Sequence, residues 1–318
     1  MFGNFIYFIV ALLIYSTYQP SEQTNFAPLD TLIYFFSLIL LFFIFSRRQF
    51  TRIAHMSATH SHDVLDQQFS SAQTRQSVLA IALFAVDIYG LNLSSYLTGI
   101  WLFEVIPTLQ ALVFLALFVG YLAIVWSNAH VAYRHIYGAD LTRQAYVASN
   151  IAFSVPVLLP WLLLSGIADL ILALPFDLPR EVLRSPEGET VYFLFFLFAV
   201  AVIGPLIIQK FWRCRPLEAG YHRQRIEALC RRADLKYADI MYWPIFGGRM
   251  ITAGVMGLVS RFRYILVTDA LLRILSPEEV DAVIAHEVGH VKKHHLLLYL
   301  FFFIGYIVIA YANLDIIF

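Results

Sequence analysis

Three residues in one short stretch have types and a spacing that could do chemistry: His286, Glu287 and His290. If the stretch is helical, two His residues four positions apart lie one turn apart on one face, so both imidazoles can reach one Zn²⁺ ion. Glu287 directly follows the first His, which places its carboxylate beside a water molecule held by the metal. Zinc lowers the pKa of such a water to about 7, and Glu287 can take its proton as the water attacks a carbonyl carbon. The chemistry predicted is peptide-bond hydrolysis.

Elements that could position these residues are readable on either side of them. Ser276, Pro277 and Glu279 carry the signals of a helix start: a cap, a proline at the first position and a capping box. Upstream, Met250 to Val255 and Tyr264 to Val267 predict a hairpin, and Leu217 to Ala233 predicts an amphipathic helix. Apolar residues around the ligands predict that the His-Glu-Val-Gly-His helix faces a core and that Glu287 is buried between the two His.

The rest of the chain has the composition of a membrane protein. Of its 318 residues 60% are hydrophobic and only 14% are charged, with a mean hydropathy of +0.70, whereas a soluble domain is roughly 25% charged. Lys plus Arg and Asp plus Glu are both 22, so the net charge predicts no nucleic-acid partner. Seven stretches approach the length of a bilayer-spanning helix: Phe5–Tyr18, Leu32–Phe45, Val78–Leu93, Val105–Trp126, Val147–Leu174, Val191–Phe211 and Leu296–Ala312.

The distribution of Lys and Arg residues predicts on which side of the membrane each loop lies. With the N-terminus in the cytoplasm and all seven spans accepted, twenty of the 22 Lys and Arg residues fall in inside loops, and only Arg180 and Arg184 lie outside. Fourteen of the twenty lie between Lys210 and Lys293, so the polar segment with His286 would be cytoplasmic. The sequence therefore predicts a multi-pass protein of the membrane, and the bacterial inner membrane is the expected location.

The run from Ile251 to His295 resembles the core of the membrane-embedded zinc metalloproteases, the family of the type I CAAX prenyl proteases and the HtpX-like heat-shock proteases. An apolar strand, the Thr-Asp-Ala-Leu-Leu element, the Ser-Pro-Glu-Glu start and the His-Glu-Val-Gly-His helix follow in the family's order. The resemblance implies a gluzincin fold, one zinc ion on His286 and His290, Glu287 as catalytic base, and membrane-associated proteins or peptides as substrates. It also places the strand residues Ile251, Thr252, Ala253 and Gly254 near bound substrate, although the family often has an Asn-Ala pair where Thr252 and Ala253 stand.

The third zinc ligand is not found in the sequence. The family takes it from a Glu on a later helix, whereas the only carboxylate after Glu287 is Asp315, roughly 30 Å from His295 across the last span. We therefore expect either a fragment that ends before the third-ligand helix or a protein that has lost activity. His294 could supply a nitrogen if its helix bends; alternatively Lys292, Lys293, His294 and His295 form a basic collar at the lipid headgroups.

These observations predict a mainly α fold: a polytopic helical membrane protein with a small α+β zincin-like domain between its last two spans. Residues 1–212 would hold six spans, 213–295 the catalytic segment and 296–318 the seventh span. The predicted function is a membrane zinc endopeptidase. An inactive scaffold that kept the fold is the first alternative, and a transporter, based on Asp87 and Asp169 in or near the spans, is the remote one.

Overall fold

The structure, a computed structural model, describes residues 3–19, 25–56, 61–138, 140–245 and 250–312. The chain divides into two compact units, Met1–Leu194 and Phe195–Phe318. This division lies inside a long helix, whereas the sequence placed the end of the six-span region at residue 212, where that helix ends. The division into residues 1–212, 213–295 and 296–318 stays a prediction.

The first unit is built from helices, which confirms the mainly α fold class. In chain order these are α1 (Gly3–Thr17), α2 (Pro28–Met56), α3 (His62–Ala85), α4 (Trp101–Val105), α5 (Pro107–Tyr137), α6 (Arg143–Ser154), α7 (Leu159–Ala173), α8 (Asp177–Arg184) and α9 (Pro186–Phe211), which continues into the second unit. A π-helical turn, Val86–Gly90, follows α3, and 3₁₀ turns occupy Leu93–Leu97 and Val155–Leu158. The last of these turns lies at Pro156, because proline cannot continue the α-helical hydrogen-bond pattern.

Among the described residues, four helical stretches are long and apolar enough to cross a membrane, judged by length and composition. They are Pro28–Met56, Pro107–Tyr137, Arg143–Ala173 and Pro186–Phe211, and they cover the second, fourth, fifth and sixth predicted spans. The first and seventh coincide with the shorter apolar helices Phe5–Thr17 and His295–Tyr306. The third, Val78–Leu93, lies on the end of α3 and the turns after it. The chain is thus a multi-pass membrane protein, and the number of seven spans stays a prediction.

Aromatic side chains fill the centre of the helical unit. Phe118 of α5 is fully buried, and its ring lies 5.5 Å from that of Phe8 and 5.6 Å from that of Phe84, measured between ring centroids. Tyr121 and Trp126, one and two turns further along α5, are also buried. Because lipid is as apolar as these side chains, close van der Waals packing rather than escape from water holds such helices together.

Asp87 and Asp169 have different surroundings in this unit. Asp87 is fully buried in the π-helical turn and accepts a 2.7 Å hydrogen bond from the Tyr121 hydroxyl. Asp169 accepts a 2.7 Å hydrogen bond from the main-chain N–H of Thr108, in the first turn of α5. Its carboxylate therefore satisfies an otherwise unpaired N–H at a helix start. Of these two carboxylates, only Asp87 still supports the transporter hypothesis.

The second unit combines helices with one small sheet. Its elements after α9 are β1 (Arg215–Pro216), α10 (Tyr221–Arg232), β2 (Asp239–Tyr242), β3 (Ala253–Met256), β4 (Tyr264–Val267), α11 (Asp269–Ile274), α12 (Pro277–Lys292) and α13 (His295–Ala312). The strand order is β1-β2-β4-β3, in which only the β2–β4 pair is parallel. A core of aliphatic side chains from α10, α12 and β4 holds the helices to the sheet.

The β3–β4 pair is the hairpin that the sequence predicted, with β3 beginning three residues later than expected. Gly257 ends β3 with φ of +112°, and a Cβ atom there would lie 2.3 Å from the Phe262 carbonyl oxygen. The Arg263 guanidinium donates hydrogen bonds to the carbonyl oxygens of Gly257, Leu258 and Lys236. The loop is therefore fixed both by a glycine that no other residue can replace without strain and by a cation inside the turn.

Candidate active site

The helix that carries the predicted site, α12, begins as the sequence predicted. The Ser276 hydroxyl accepts a 3.4 Å hydrogen bond from the Glu279 N–H, and the Glu279 carboxylate accepts from the Ser276 N–H at 2.8 Å. This is a complete capping box, with Pro277 at the first helical position. The hydrogen bonds from Ser276 hold the pKa of Glu279 below its usual range, because they stabilise the charged carboxylate.

Two sets of contacts fix the position of α12. On its inner face Val280, Ile284 and Val288 are buried against α10 and the sheet, and in a water-facing unit each such side chain contributes about 1.5–3 kcal/mol. At its start, Arg225 of α10 donates to Asp281 and Glu278, both at 3.0 Å. At its end, the Lys292 ammonium donates to the Asp234 carbonyl oxygen at 3.1 Å. Both ends are therefore tied to α10 or to the segment that follows it.

His286 and His290 meet on a neighbouring face of α12. Their Nε2 atoms lie 3.1 Å apart, and the two ring centroids are separated by 4.8 Å at an interplanar angle of 80°. Two nitrogens that bind one tetrahedral zinc ion at 2.0–2.1 Å stand about 3.3 Å apart. The two imidazoles therefore already have nearly the separation that a shared zinc ion requires, and their donor set fits that metal.

Glu287 lies between the two His in sequence but is not buried as expected. It is partly exposed, His286 is exposed and His290 is partly buried. The reason is that the core face of α12 is taken by Val280, Ile284 and Val288 at four-residue spacing, which leaves Glu287 at the border of that face. A carboxylate there remains accessible to water and to a substrate carbonyl.

A third His contacts the pair, and the sequence did not predict it. The Nδ1 atoms of His290 and His295 lie 2.7 Å apart, and their ring centroids are 4.8 Å apart. His295, one of the four residues of the possible basic collar, is half-buried beside His290, whereas His294 is exposed. In an unbroken helix two residues five positions apart point about 140° away from each other, so no periodicity could have indicated this contact.

The predicted substrate strand lies at the edge of the described sheet. β3 packs against α12 on one face and pairs only with β4, so its second edge is open in that sheet. Thr252 accepts a 3.2 Å main-chain hydrogen bond from Thr268, and its own N–H donates to the Thr268 hydroxyl at 3.1 Å. Hydrogen-bonded and non-hydrogen-bonded positions alternate along an antiparallel pair. Gly254 therefore also bonds toward β4, while the N–H and C=O groups of Ala253 and Val255 point to the open edge.

Further metal ligands are not provided by the described part of the chain. Among the described residues no group of three His, Cys, Asp or Glu side chains is arranged to hold a metal ion. Asp315, the carboxylate considered for that role, lies outside them. Burial raises the pKa of Cys214 to about 12 and that of Cys230 to about 11, which keeps both thiols protonated and poor metal ligands at neutral pH.

Known proteins resemble this chain most clearly over the segment that contains the candidate site. Residues 216–317 match the sequence model of Peptidase family M48. A protease HtpX homologue of Aeropyrum pernix is 34% identical over 114 residues, which is 33% of this chain and 35% of that protein. CAAX prenyl protease 1 of Saccharomyces cerevisiae is 31% identical over 122 residues, 36% of this chain and 26% of that protein.

The chain thus spans about a third or less of the length of these curated relatives. A crystal structure of S. mikatae Ste24p superimposes with a TM-score of 0.46 at 20% identity, over 86% of this chain and 71% of that one. The matched segment contains β3, β4 and the whole of α12. Residues 216–317 are therefore similar to Peptidase family M48, and the resemblance to the membrane metalloproteases of that family is confirmed.

Proposed function

We propose that this chain is an integral-membrane, zinc-dependent endopeptidase that hydrolyses peptide bonds of membrane-associated proteins or peptides. The observation that carries the proposal is the pair of Nε2 atoms 3.1 Å apart on α12, beside an open strand edge, within a Peptidase family M48 segment. The charge distribution supports a cytoplasmic catalytic segment, and the expected location is the bacterial inner membrane.

His286 and His290 would hold one zinc ion through their Nε2 atoms. When bound there, zinc supplies Lewis acidity, which makes a water molecule acidic enough to lose a proton near neutral pH. Two protein nitrogens leave the usual three-ligand catalytic site one ligand short. The remaining ligand has to come from outside the described residues.

Glu287 would act as the general base and then as the general acid. Its carboxylate takes a proton from the attacking water and returns it to the nitrogen of the leaving amine, so the charge of the residue is restored after each cycle. The partial exposure of Glu287 suits this role, because the carboxylate can contact both water and substrate.

The strand β3 would align the substrate. An extended peptide can add to an open sheet edge through main-chain hydrogen bonds, which is the mode called β-augmentation. The alternation along β3 assigns this pairing to Ala253 and Val255. The Ala253 carbonyl oxygen accepts only a long hydrogen bond of 3.3 Å from the Thr252 hydroxyl, which a substrate N–H can replace. Ile251, Thr252 and Gly254 would instead shape the strand.

The test is a comparison of zinc content and hydrolysis in Glu287→Gln. Zinc should remain stoichiometric, because the change leaves both His in place, while hydrolysis of a membrane-anchored fluorogenic peptide should fall by about 10²–10⁴-fold. Glu278→Gln, an exposed position on the same helix, is the matched control and should keep its activity. Unchanged hydrolysis in Glu287→Gln would contradict the assigned role of this residue.

The alternative function is a membrane scaffold that keeps the protease fold without the reaction. The absence of a three-ligand cluster among the described residues is the observation in its favour. Zinc analysis of the purified protein separates the two, because a scaffold has no stoichiometric zinc. Measured zinc of about one ion per chain, lost in His290→Ala, would exclude the scaffold.

A further inference from the structure

The contact between His290 and His295 assigns a role to a residue outside the predicted site. We infer that His295 is a positioning residue: its Nδ1 accepts a hydrogen bond from the Nδ1–H of His290 and so directs the Nε2 lone pair of His290 toward the metal. The inference rests on the proposed function, because it concerns the zinc ion that His286 and His290 would share. The distance between the two Nδ1 atoms, 2.7 Å, is that of a strong hydrogen bond.

A break between two helices creates this contact. α12 ends at Lys292, and His294 takes a left-handed conformation with φ of +55°, which few residues other than glycine adopt. The N–H of His294 donates to the Val291 carbonyl oxygen, and its own carbonyl oxygen accepts from Leu298 in the first turn of α13. The helix is therefore interrupted at Lys293 and His294, and the first residue of α13, His295, lies beside His290.

The chemistry of imidazole decides which of the two His residues donates this hydrogen bond. A neutral imidazole has one N–H donor and one lone pair, and the hydrogen bond made by one nitrogen decides which nitrogen is free. Because His290 Nε2 faces His286 Nε2, the proton of a metal-binding His290 has to be on Nδ1, where His295 is the acceptor. Metal-binding His residues generally donate their second N–H to such a partner, and its removal typically costs 10–100-fold in metal affinity.

The same geometry excludes His295 as the missing ligand. Its Nδ1 contacts the ring nitrogen of His290 that points away from His286, so it cannot reach an ion held between the two Nε2 atoms. The ring of His295 also lies against that of Tyr299, with 6.5 Å between centroids, one turn along α13. This neighbour restricts rotation of the His295 ring.

The experiment measures zinc affinity by competition with a chelator, in the purified membrane protein, for three variants. His295→Leu removes the acceptor and should weaken zinc binding by about 10–100-fold. His295→Asn places its amide oxygen close to where Nδ1 stands, so the affinity should return to within a few-fold of the parent. His294→Asn is the control: it removes the exposed neighbouring imidazole but keeps a residue that tolerates the left-handed conformation, so it should bind zinc as the parent does.

Recovery in His295→Asn is the result that a merely structural role for His295 would not give. Equal zinc affinity in His295→Leu, His294→Asn and the parent would overturn the role of His295 and leave the proposed function standing. A parent protein that binds no zinc would overturn both. If His295→Leu does not fold, His295→Ala makes the same comparison, because alanine favours the helix that begins there.

Discussion

The helical unit and the α10–α12 region of the second unit bury similar side chains but have different surfaces. In the helical unit, Leu41 on α2 and Phe36 five residues before it are 64% and 62% exposed, so apolar groups form both the inside and the outside of the bundle. In the second unit, the core of α10, α12 and β4 is covered on the helical side by ion pairs of Arg223 and Arg225. The lesson is that equal burial does not mean equal stabilisation. A side chain gains from leaving water only where water is the alternative.

The first prediction tests whether burial of an apolar side chain stabilises the two units differently. Ile284→Ala in α12 should cost about 2–5 kcal/mol, because it loses both the transfer from water and the packing around the cavity. Phe118→Ala in α5 removes a larger side chain but should cost only about 2–3 kcal/mol, since mainly the cavity term remains in lipid. Unfolding in mixed micelles with increasing dodecyl sulfate measures both, with the exposed Leu41→Ala as control. A clearly larger cost for Phe118→Ala would contradict the distinction.

Zinc affinity should also distinguish the same two variants, Ile284→Ala and Phe118→Ala. Ile284→Ala displaces the helix that carries His286 and His290 and should lower the zinc affinity of the folded protein. Phe118→Ala lies in the other compact unit and should leave that affinity unchanged. The same chelator competition can be applied to both variants.

A smaller effect is expected at the two helix starts. Asp169 caps α5 from another helix, and Ser276 caps α12 from its own sequence. Asp169→Ala leaves the part-buried Thr108 N–H without its partner, so we expect a loss of about 1–3 kcal/mol. Ser276→Ala leaves an exposed N–H that water can satisfy, with an expected loss of about 1 kcal/mol. Equal losses, measured by the same unfolding assay, would show that access to water does not separate these two caps.

The smallest effect is a pH dependence confined to the second unit. The folded pKa of Glu279 is lowered by the hydrogen bonds from Ser276, so its stabilisation is present above the unfolded pKa of about 4.3 and is lost as the pH falls through the folded value. The stability of α12 should therefore decline slightly below about pH 4. Glu279→Gln should flatten that part of the profile, as followed by helicity at constant ionic strength. An unaltered profile would mean that other carboxylates cause the decline.

The sequence was most informative where the relevant interactions are local. The capping box of Ser276 and Glu279, the approach of His286 to His290 and the β3–β4 hairpin all follow from residues a few positions apart, and the structure has all three. Contacts that depend on a change of chain direction could not be predicted. His295 reaches His290 only because His294 is left-handed, and Asp169 reaches Thr108 only because α7 packs beside the start of α5.

Gly257 is far from both His residues in sequence, but the turn that it begins bears on which residues of β3 are available to pair with a substrate. Lengthening or shortening the turn that begins at Gly257 by one residue would exchange the odd and even positions of β3, so that Thr252 and Gly254 rather than Ala253 and Val255 would face the open edge. The length of this turn thus sets the phase of the strand. On the proposed function, we expect a one-residue deletion in the turn to change the position at which a given peptide is cut, and not only the rate.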